Sequence, residues 1–369
     1  MMEYLSDIDK INFLKTCSSL YNYRFDTKFH DFHLCDKIRD LDYRENFKRI
    51  VYTKTKNNVK SFTQLTIEEE YGNNPSMDKI NPGEIPDTVT YLNIKSRNTF
   101  VKKGAIPDSV THLHFGSDYL SRDIIPKNVV YLRFGDFSPC EIGQRLIETR
   151  QVNGITVNTT RIESYIPESV VCLHLGFNMS NKNLGERIIE TQEINGEKIS
   201  TTKIVSYIPK NVTHLTIFND IYKNTFDFIP KNVTKLNLFG EIMEMIDETI
   251  IPKNIKTLGL ACFQNLKNIK IPKIVTCLKF LFDDFTISKK FIPEHITTIS
   301  LKLVYIHDDS IFRNIVFNNV SNLKIGSHYF EKNSYIPNNI KTLTIYGNYD
   351  KKIIKKLPNT INKLIFKHE

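Results

Sequence analysis

The chain has 369 residues, and its 50 lysines and arginines exceed its 41 aspartates and glutamates by nine. A hydrophobic content of 40%, with 24 Phe and 17 Tyr, is enough for a folded core and argues against general disorder. No stretch approaches the ~18 apolar residues of a membrane helix, and the first residues lack the basic and apolar regions of a secretory signal. We therefore expect an intracellular, cytoplasmic protein.

The positive charge is spread along the chain without a block of five like charges. Nucleic-acid-binding proteins usually gather their charge in a stripe interleaved with aromatic residues. We therefore favour a solvated, lysine-rich surface and keep a basic nucleic-acid-associated protein as the alternative. The six cysteines contain no C-x-x-C pair and no Cys/His spacing typical of a zinc finger, so neither a disulfide framework nor a zinc finger is expected.

Residues 1–56 lack the sequence pattern that fills the rest of the chain, and we expect them to form a small α-helical segment. Ser6 and Asp9 have the spacing of a helix N-cap. The apolar residues that fall on one helical face are Ile8, Ile11, Leu14, Cys17 and Tyr21. This pattern predicts an amphipathic helix.

Residues 57–369 are organised by a repeat of about 21 residues, which begins with Ile-Pro. Eleven of the 14 prolines occupy this one position: Pro86, Pro107, Pro126, Pro167, Pro209, Pro230, Pro252, Pro272, Pro293, Pro337 and Pro358. Val or Ile follows three residues after the proline, Leu (once Ile) six residues after it, and another apolar residue eight residues after it. Two degenerate units, at 58–67 and 316–325, bring the number of units to thirteen.

The repeat predicts a solenoid with one short parallel strand in each coil. The last two apolar positions alternate with polar residues, as in a half-buried strand. Proline keeps the preceding residue extended, so this part of the unit cannot be helical. One coil cannot bury its own apolar side, so neighbouring coils stack into a continuous core. We expect the Ile before proline and the residues at offsets 3, 6 and 8 to point inward.

Two enlarged units carry a duplicated insertion. The stretch that begins Gly143-Gln144-Arg145 recurs 42 residues later as Gly185-Glu186-Arg187. Asn153-Gly154 and Asn195-Gly196 each lie between two β-prone runs, which is a strong hairpin signal. We expect hairpins at about 144–163 and 186–205. Their tips are candidate partner-binding sites, and neutral duplication is the alternative.

The repeated Ile-Pro, Val and Leu positions resemble the FNIP repeat of proteins from social amoebae and giant DNA viruses, over residues 57–369. The Phe-Asn pair of that repeat is clear at Phe177-Asn178 and Phe218-Asn219. The resemblance implies a fold similar to leucine-rich repeats. In a viral protein, it also implies action in the host cytoplasm.

The run from Leu5 to Tyr21 resembles the latter half of an F-box, a domain that FNIP-repeat proteins often carry ahead of their repeats. The resemblance implies a surface for the Skp1 linker of an SCF-type ubiquitin ligase. Its members would be Leu5, Ile11, Leu14, Cys17 and Leu20. The alternative is a helical cap over the first coil, which solenoids require.

The sequence contains no common enzyme motif such as G-x-S-x-G, the P-loop, H-E-x-x-H or G-x-G-x-x-G. His112 and His114, with His174, are the best metal candidates, but no obvious carboxylate or cysteine completes the set. We therefore expect ordinary exposed histidines, no cofactor and no catalytic site.

The outward strand positions of the early units are the main binding candidates, because Tyr, His and Arg are enriched in binding hot spots. They are Tyr91, Asn93, His112, His114, Tyr131, Arg133 and His174. Generic strand composition is the alternative, since Tyr favours strands anyway. The sequence thus predicts a non-catalytic protein-interaction scaffold, with a substrate adapter of a ubiquitin ligase as its more specific form.

Overall fold

The protein is described by a computed structural model. The model describes residues 5–34, 38, 41–52, 63–67, 79–135, 141–152, 155–176, 184–194, 197–261, 269–281, 292–301, 319–332, 335–347, 354 and 357–367. The chain divides into two compact bodies, Met1–Met179 and Ser180–Glu369, called here the first and second body.

The first body has two short helices at its start and a parallel sheet after them. The helices are α1 (Asp7–Leu14) and α2 (Ser18–Tyr21), with 3-10 turns at Asn22–Phe25 and Arg44–Asn46. The strands are β1 (Phe29–Leu34), β2 (Phe47–Tyr52), β3 (Gln64–Ile67), β4 (Lys79–Ile80), β5 (Tyr91–Ile94), β6 (Phe100–Val101), β7 (His112–Phe115), β8 (Tyr131–Phe134), β9 (Gly143–Val152), β10 (Ile155–Ser164) and β11 (Cys172–Leu175). The sheet order is β1-β2-β3-β5-β7-β8-β11; β4 pairs with β6, and β9 pairs with β10.

The second body begins with a hairpin, which is followed by parallel strands that pair in chain order. Its elements are β12 (Gly185–Ile194), β13 (Glu197–Ser206), β14 (His214–Ile217), a 3-10 turn (Lys223–Phe228), β15 (Lys235–Leu238), β16 (Thr257–Leu260), β17 (Cys277–Phe280), β18 (Thr298–Leu301), β19 (Asn322–Gly326), α3 (Tyr329–Lys332), β20 (Thr342–Tyr346) and β21 (Lys363–Lys367). Every predicted repeat unit, including the two degenerate ones, has its strand. The predicted solenoid is confirmed.

The Ile-Pro-x-x-Val segment forms the turn that leads each coil into its strand. The N–H of Val89 donates to the carbonyl of Pro86 at 3.0 Å, and the same bond recurs in every unit with a proline at this position. Proline suits this turn because its fixed φ leads the chain out of the extended segment. The three-residue spacing between Pro and Val is therefore set by the hydrogen bond that closes this turn.

The core follows the predicted offsets. Val89, Leu92 and Ile94 are fully buried in the first body, as are Val233 and Leu236 in the second. In the register of the parallel strands, Leu236 lies beside Leu258, and Leu258 beside Leu278. Apolar side chains therefore stack from coil to coil along each body, and the prediction of inward positions is confirmed.

A polar residue two positions after the proline ties neighbouring coils together, a role that the apolar repeat pattern does not reveal. The amide of Asn128 donates to the carbonyl of Asp108 at 2.8 Å, and Asn232 donates to Lys210 at the same distance. At the same offset, the hydroxyl of Ser109 also donates to the preceding coil, but to the carbonyl of Val89, at 2.7 Å. The sequence feature that points to this role is the frequent Asn or Ser two residues after the repeat proline.

The N-terminal region differs from the expected helical segment. Helices α1 and α2 lie between residues 7 and 21, whereas β1 and β2 already belong to the parallel sheet, and Arg49 pairs in register with Gln64 of β3. The sheet therefore begins before residue 57, where the sequence repeat becomes readable.

Helix α1 begins as predicted, with the N–H of Asp9 donating to the Ser6 hydroxyl at 3.2 Å, but the predicted apolar face is wrong. The helix ends at Leu14, so the later apolar residues do not continue its face. Ile8 is 69% exposed. The buried side of α1 instead carries Asp7, Lys10 and Leu14, because the two charged side chains pair with each other in the interior.

Candidate interaction surfaces

The outward face of the first sheet brings the predicted binding residues into two adjacent columns. In the first column, Tyr91 pairs in register with His112, and His112 with Tyr131. The rings are stacked: centroids lie 6.5 Å apart between Tyr91 and His112 and 5.7 Å apart between His112 and Tyr131. Parallel strands in register force this stacking, because equivalent side chains repeat at the strand spacing. The result is an amphipathic aromatic surface.

The second column contains Asn93, His114, Arg133 and His174 in register. Arg133 stands between the two histidines, so its positive charge opposes a metal ion shared by them. Among the residues that the structure describes, no group of three or more His, Cys, Asp or Glu is placed to hold a metal ion. The column fits hydrogen bonding and charge recognition better than metal binding.

Neighbouring groups fix the polar atoms of both columns. The Thr111 hydroxyl lies 3.0 Å from Nδ1 of His112, and the Cys172 thiol lies 3.5 Å from Nε2 of His174. Burial, reinforced by Cys172, raises the pKa of Tyr131, although Arg133 opposes this shift. The Tyr131 hydroxyl is therefore neutral at physiological pH and available as a hydrogen-bond donor.

The residues predicted as an F-box-like surface lie in different environments. Leu14 is 3% exposed, so in this conformation it belongs to the interior. Leu5, Ile11 and Leu20 are half-buried, and Cys17 is exposed. The apolar side chains that α1 and the following turns present to solvent are Ile8, Phe13, Tyr21, Tyr23 and Phe25. We call this group the N-terminal apolar surface.

A buried polar cluster fixes α1 to β1. The Asp7 carboxylate lies 3.0 Å from the Lys10 ammonium and 2.9 Å from Nε2 of His33, and it accepts the Asp31 N–H at 2.6 Å. Burial would raise the pKa of Asp7, but the bonds from His33, from the backbone of Asp31 and His30, and from Lys10 together lower it to about 2. Asp7 is therefore ionised and anchors the helix through charge-assisted hydrogen bonds.

A cavity of about 770 Å³ lies beside this cluster. Phe13, Leu14 and Leu20 contribute to its apolar lining, while the charged lining residues are Lys10, Lys28 and Asp26. Two residues of the predicted F-box-like surface thus line a cavity next to the N-terminal apolar surface.

The two hairpins have ten-residue strands paired from Gly143 with Ser164 and from Gly185 with Ser206. The predicted tip residues, Asn153, Gly154, Asn195 and Gly196, lie outside the described residues. Side chains near the base tie each hairpin to its body, with Arg122 2.9 Å from Glu163 in the first and Arg187 paired with Asp227 in the second. Equivalent isoleucines of the duplication, Ile147 and Ile189, are 60% and 68% exposed.

None of the helices among the described residues is long and apolar enough to cross a membrane.

Comparisons with known proteins identify the repeat. The family model described as FNIP Repeat matches residues 78–118 and 98–137. A FNIP repeat-containing protein of Acanthamoeba polyphaga mimivirus is 73% identical over the whole of this chain and 97% of its own length.

Other similar proteins match shorter parts. An F-box and FNIP repeat-containing protein of the same virus is 30% identical over 36% of this chain and 24% of its own length. An F-box protein of that virus is 36% identical over 19% of this chain and 29% of its own length. Among solved structures, a circular leucine-rich-repeat protein, CroV588, matches 92% of this chain and 58% of its own at 17% identity, with a TM-score of 0.34.

Proposed function

This chain belongs to the FNIP-repeat proteins, and we propose that it is a non-catalytic scaffold that binds a protein partner through the outward strand face of its first body. The observation that carries the proposal is the stack of Tyr91, His112 and Tyr131 beside Arg133. Packing of the core does not require aromatic residues at outward positions. Tyr and Arg are the side chains most often found at energetically dominant contacts between proteins.

The more specific proposal is that the N-terminal apolar surface docks the protein to a Skp1-like linker of a ubiquitin ligase. Support comes from the F-box-like run of residues 5–21 and from relatives named as F-box and FNIP repeat-containing proteins. Ile8 on α1 is 69% exposed, so its apolar side chain is open to contact with a partner. The strand face would then hold the substrate, and the exposed hairpins would extend that contact. We place this activity in the host cytoplasm, because the relatives are viral.

Purified Skp1-like linker protein tests the docking proposal. Ile8→Asp should reduce capture of the linker at least about tenfold, because it places a charge in an apolar contact. Ile189→Asp is the matched control, a hairpin isoleucine whose exposure of 68% matches that of Ile8, and should leave capture unchanged. Leu14 is unsuitable for this test because it is buried. If the wild-type protein fails to capture the linker, or both variants lose it equally, the adapter proposal is refuted.

The strand-face proposal has a separate test. The triple variant Tyr91→Thr/His112→Thr/Tyr131→Thr keeps strand-forming residues but removes the rings, and it should lose a partner that the wild-type protein retains in quantitative affinity purification from amoeba lysate. A triple variant of exposed turn residues, Asp87→Asn/Asp108→Asn/Lys127→Gln, should keep that partner. Identical sets of retained proteins for wild type and the ring-free variant would contradict the proposal.

A further inference from the structure

The structure describes three free cysteines, and each has a different environment. Cys17 is exposed after α1, Cys172 is half-buried on β11, and Cys277 is buried on β17. Burial raises the pKa of Cys277, so its thiol stays protonated and shielded from reagents at neutral pH. Cys172 differs from both, because it stands on the outward strand face of the first body with an imidazole beside it.

Cys172 and His174 form a pair on this face. They alternate with the buried Leu173 in β11, so their side chains point to the same side of the sheet. Sγ of Cys172 lies 3.5 Å from Nε2 of His174, which is hydrogen-bond distance for sulfur. A neutral imidazole in this position accepts the thiol proton, and the resulting imidazolium stabilises the thiolate. The thiolate is the nucleophilic form of cysteine, so the pair has the geometry that activates a thiol.

The neighbouring strand β8 places a cation beside this pair. In register, Tyr131 lies opposite Cys172, and Arg133 lies opposite His174. The pKa of Tyr131 is raised by burial and then by Cys172, and it is lowered by Arg133, so the sulfur and the guanidinium both lie near the same phenol. A permanent positive charge near a thiol favours the thiolate. Arg133 therefore acts in the same direction as His174.

We propose that Cys172 is a site of thiol–disulfide exchange with small anionic disulfides, activated by His174 and guided by Arg133. The Cys172 thiolate attacks one sulfur of the disulfide, and a new S–S bond to Cys172 forms as the old S–S bond breaks. The departing thiolate takes up the proton that His174 received from the Cys172 thiol. The protein thiol is thereby oxidised, and one half of the disulfide is reduced to a free thiol.

The charge of the face favours an anionic reagent over a cationic one. The outward positions of β5, β7, β8 and β11, as the structure describes them, contain Arg133 and three histidines but no aspartate or glutamate. A cationic surface without carboxylates raises the local concentration of anions. A small disulfide that carries carboxylates, such as glutathione disulfide, fits this requirement and supplies the sulfur that the thiolate attacks.

The position of Cys172 links this chemistry to partner binding. Cys172 continues the column of Tyr91, His112 and Tyr131, and the rings of Tyr131 and His174 lie 5.1 Å apart. A peptide-sized group attached to the sulfur would cover Tyr131 and bring negative charge onto the face. Modification of Cys172 should therefore block contact with the partner. This regulatory step rests on the proposed function of the ring stack, whereas the exchange reaction itself does not.

Exchange with glutathione disulfide at pH 7, followed on the full chain by peptide mass spectrometry, tests the inference. Cys172 should be modified at least about threefold faster than the more exposed Cys17, because an ordinary thiol is only a few per cent thiolate at this pH and the activated thiolate is somewhat less nucleophilic. His174→Asn should slow Cys172 at least about threefold, and His174→Gln serves if that variant fails to fold. The matched control His112→Asn, another imidazole of the same face, should stay within about twofold. The rate at Cys17 should be the same in every variant.

The choice of reagent tests the role of Arg133. Arg133→Gln should slow the reaction of Cys172 with glutathione disulfide at least about threefold, and it should leave the reaction with the neutral 2-hydroxyethyl disulfide within about twofold. Equal slowing with both reagents would contradict the guiding role.

Three further results would count against the proposal. If Cys172 of the wild type reacts no faster than Cys17, the thiol is not activated. If His174→Asn and His112→Asn slow it equally, His174 has no specific role. If the modified protein keeps a partner that the ring-free variant loses, the regulatory step is wrong. The exchange rates are measured without a partner, so their failure is distinguishable from failure of the proposed function.

Discussion

The strand faces of the two bodies share their inward residues and differ in their outward ones. Leu113 in the first body and Leu236 in the second are both fully buried. Their outward neighbours are His112 within a stack of rings in the first body, and Lys235 between His214 and Thr257 in the second. The repeat therefore fixes one core for both bodies, while the outward positions are free to acquire different partners.

The largest predicted effect tests the shared core. Leu113→Asp and Leu236→Asp each bury an unpaired charge, and each should cost more than about 4 kcal/mol of unfolding free energy. Leu236→Ala should cost about 2–5 kcal/mol through the cavity that it leaves. Urea unfolding monitored by circular dichroism provides the measurement. Variants that unfold like the wild type would show that these positions do not point inward.

The next largest predicted effect is the pH-dependent stability that the buried cluster around Asp7 gives to the first body. The pKa of Asp7 is lowered from 3.8 to about 2 on folding, so its ionisation adds about 2 kcal/mol to stability above pH 4. This contribution should disappear as the pH falls from about 4 to 2. Asp7→Asn should therefore lower the melting temperature at pH 7 and have little further effect at pH 2. A difference from wild type that does not change with pH would contradict this account of the cluster.

A smaller effect separates the two outward faces. Tyr131→Thr removes a ring from the stack and should cost about 1 kcal/mol, whereas Lys235→Thr should stay within about 0.5 kcal/mol. Thermal unfolding of the two variants, compared with the wild-type protein, measures the difference. Equal costs would mean that the rings add no packing energy to the first face.

The smallest effect concerns the bonds that join coils. Asn128→Ala and Asn232→Ala each remove one exposed side-chain hydrogen bond and should each cost about 0.5–1 kcal/mol. The two costs should agree, because the bond is equivalent in both bodies. Asn254→Ala extends the series, because Asn254 stands at the same repeat offset and donates to the carbonyl of Lys231, and a cost that varies several-fold among the three would contradict a common role.

The solenoid could be predicted from the sequence because the same Ile-Pro pattern recurs in unit after unit. One proline turn proves little, but the same offsets from Pro86 to Pro358 leave few alternatives to stacked coils. The first two strands escaped prediction because β1 and β2 lack the Ile-Pro turn that marks eleven of the thirteen predicted units. The burial of Lys10 escaped too, since helical periodicity treats charged residues as exposed and cannot reveal a partner such as Asp7 on the same buried side.

The candidate surfaces were predictable in part. Strand alternation placed Tyr91, His112 and Tyr131 outward, but their stacking depends on the register between coils. A binding surface on a solenoid combines residues from several coils that are distant in sequence, whereas the repeat pattern appears within each unit of the sequence.

Site-specific photo-crosslinking tests the central claim, that the outward strand face of the first body contacts a protein partner. A benzophenone amino acid would replace His112, which is exposed within the ring stack, and in a control would replace Asp108, which is exposed in the turn of the same coil. After irradiation in amoeba lysate, we predict a discrete crosslinked protein from position 112 that is absent from position 108. The same product from both positions, or a product from position 108 alone, would contradict the assignment of this face as the binding surface.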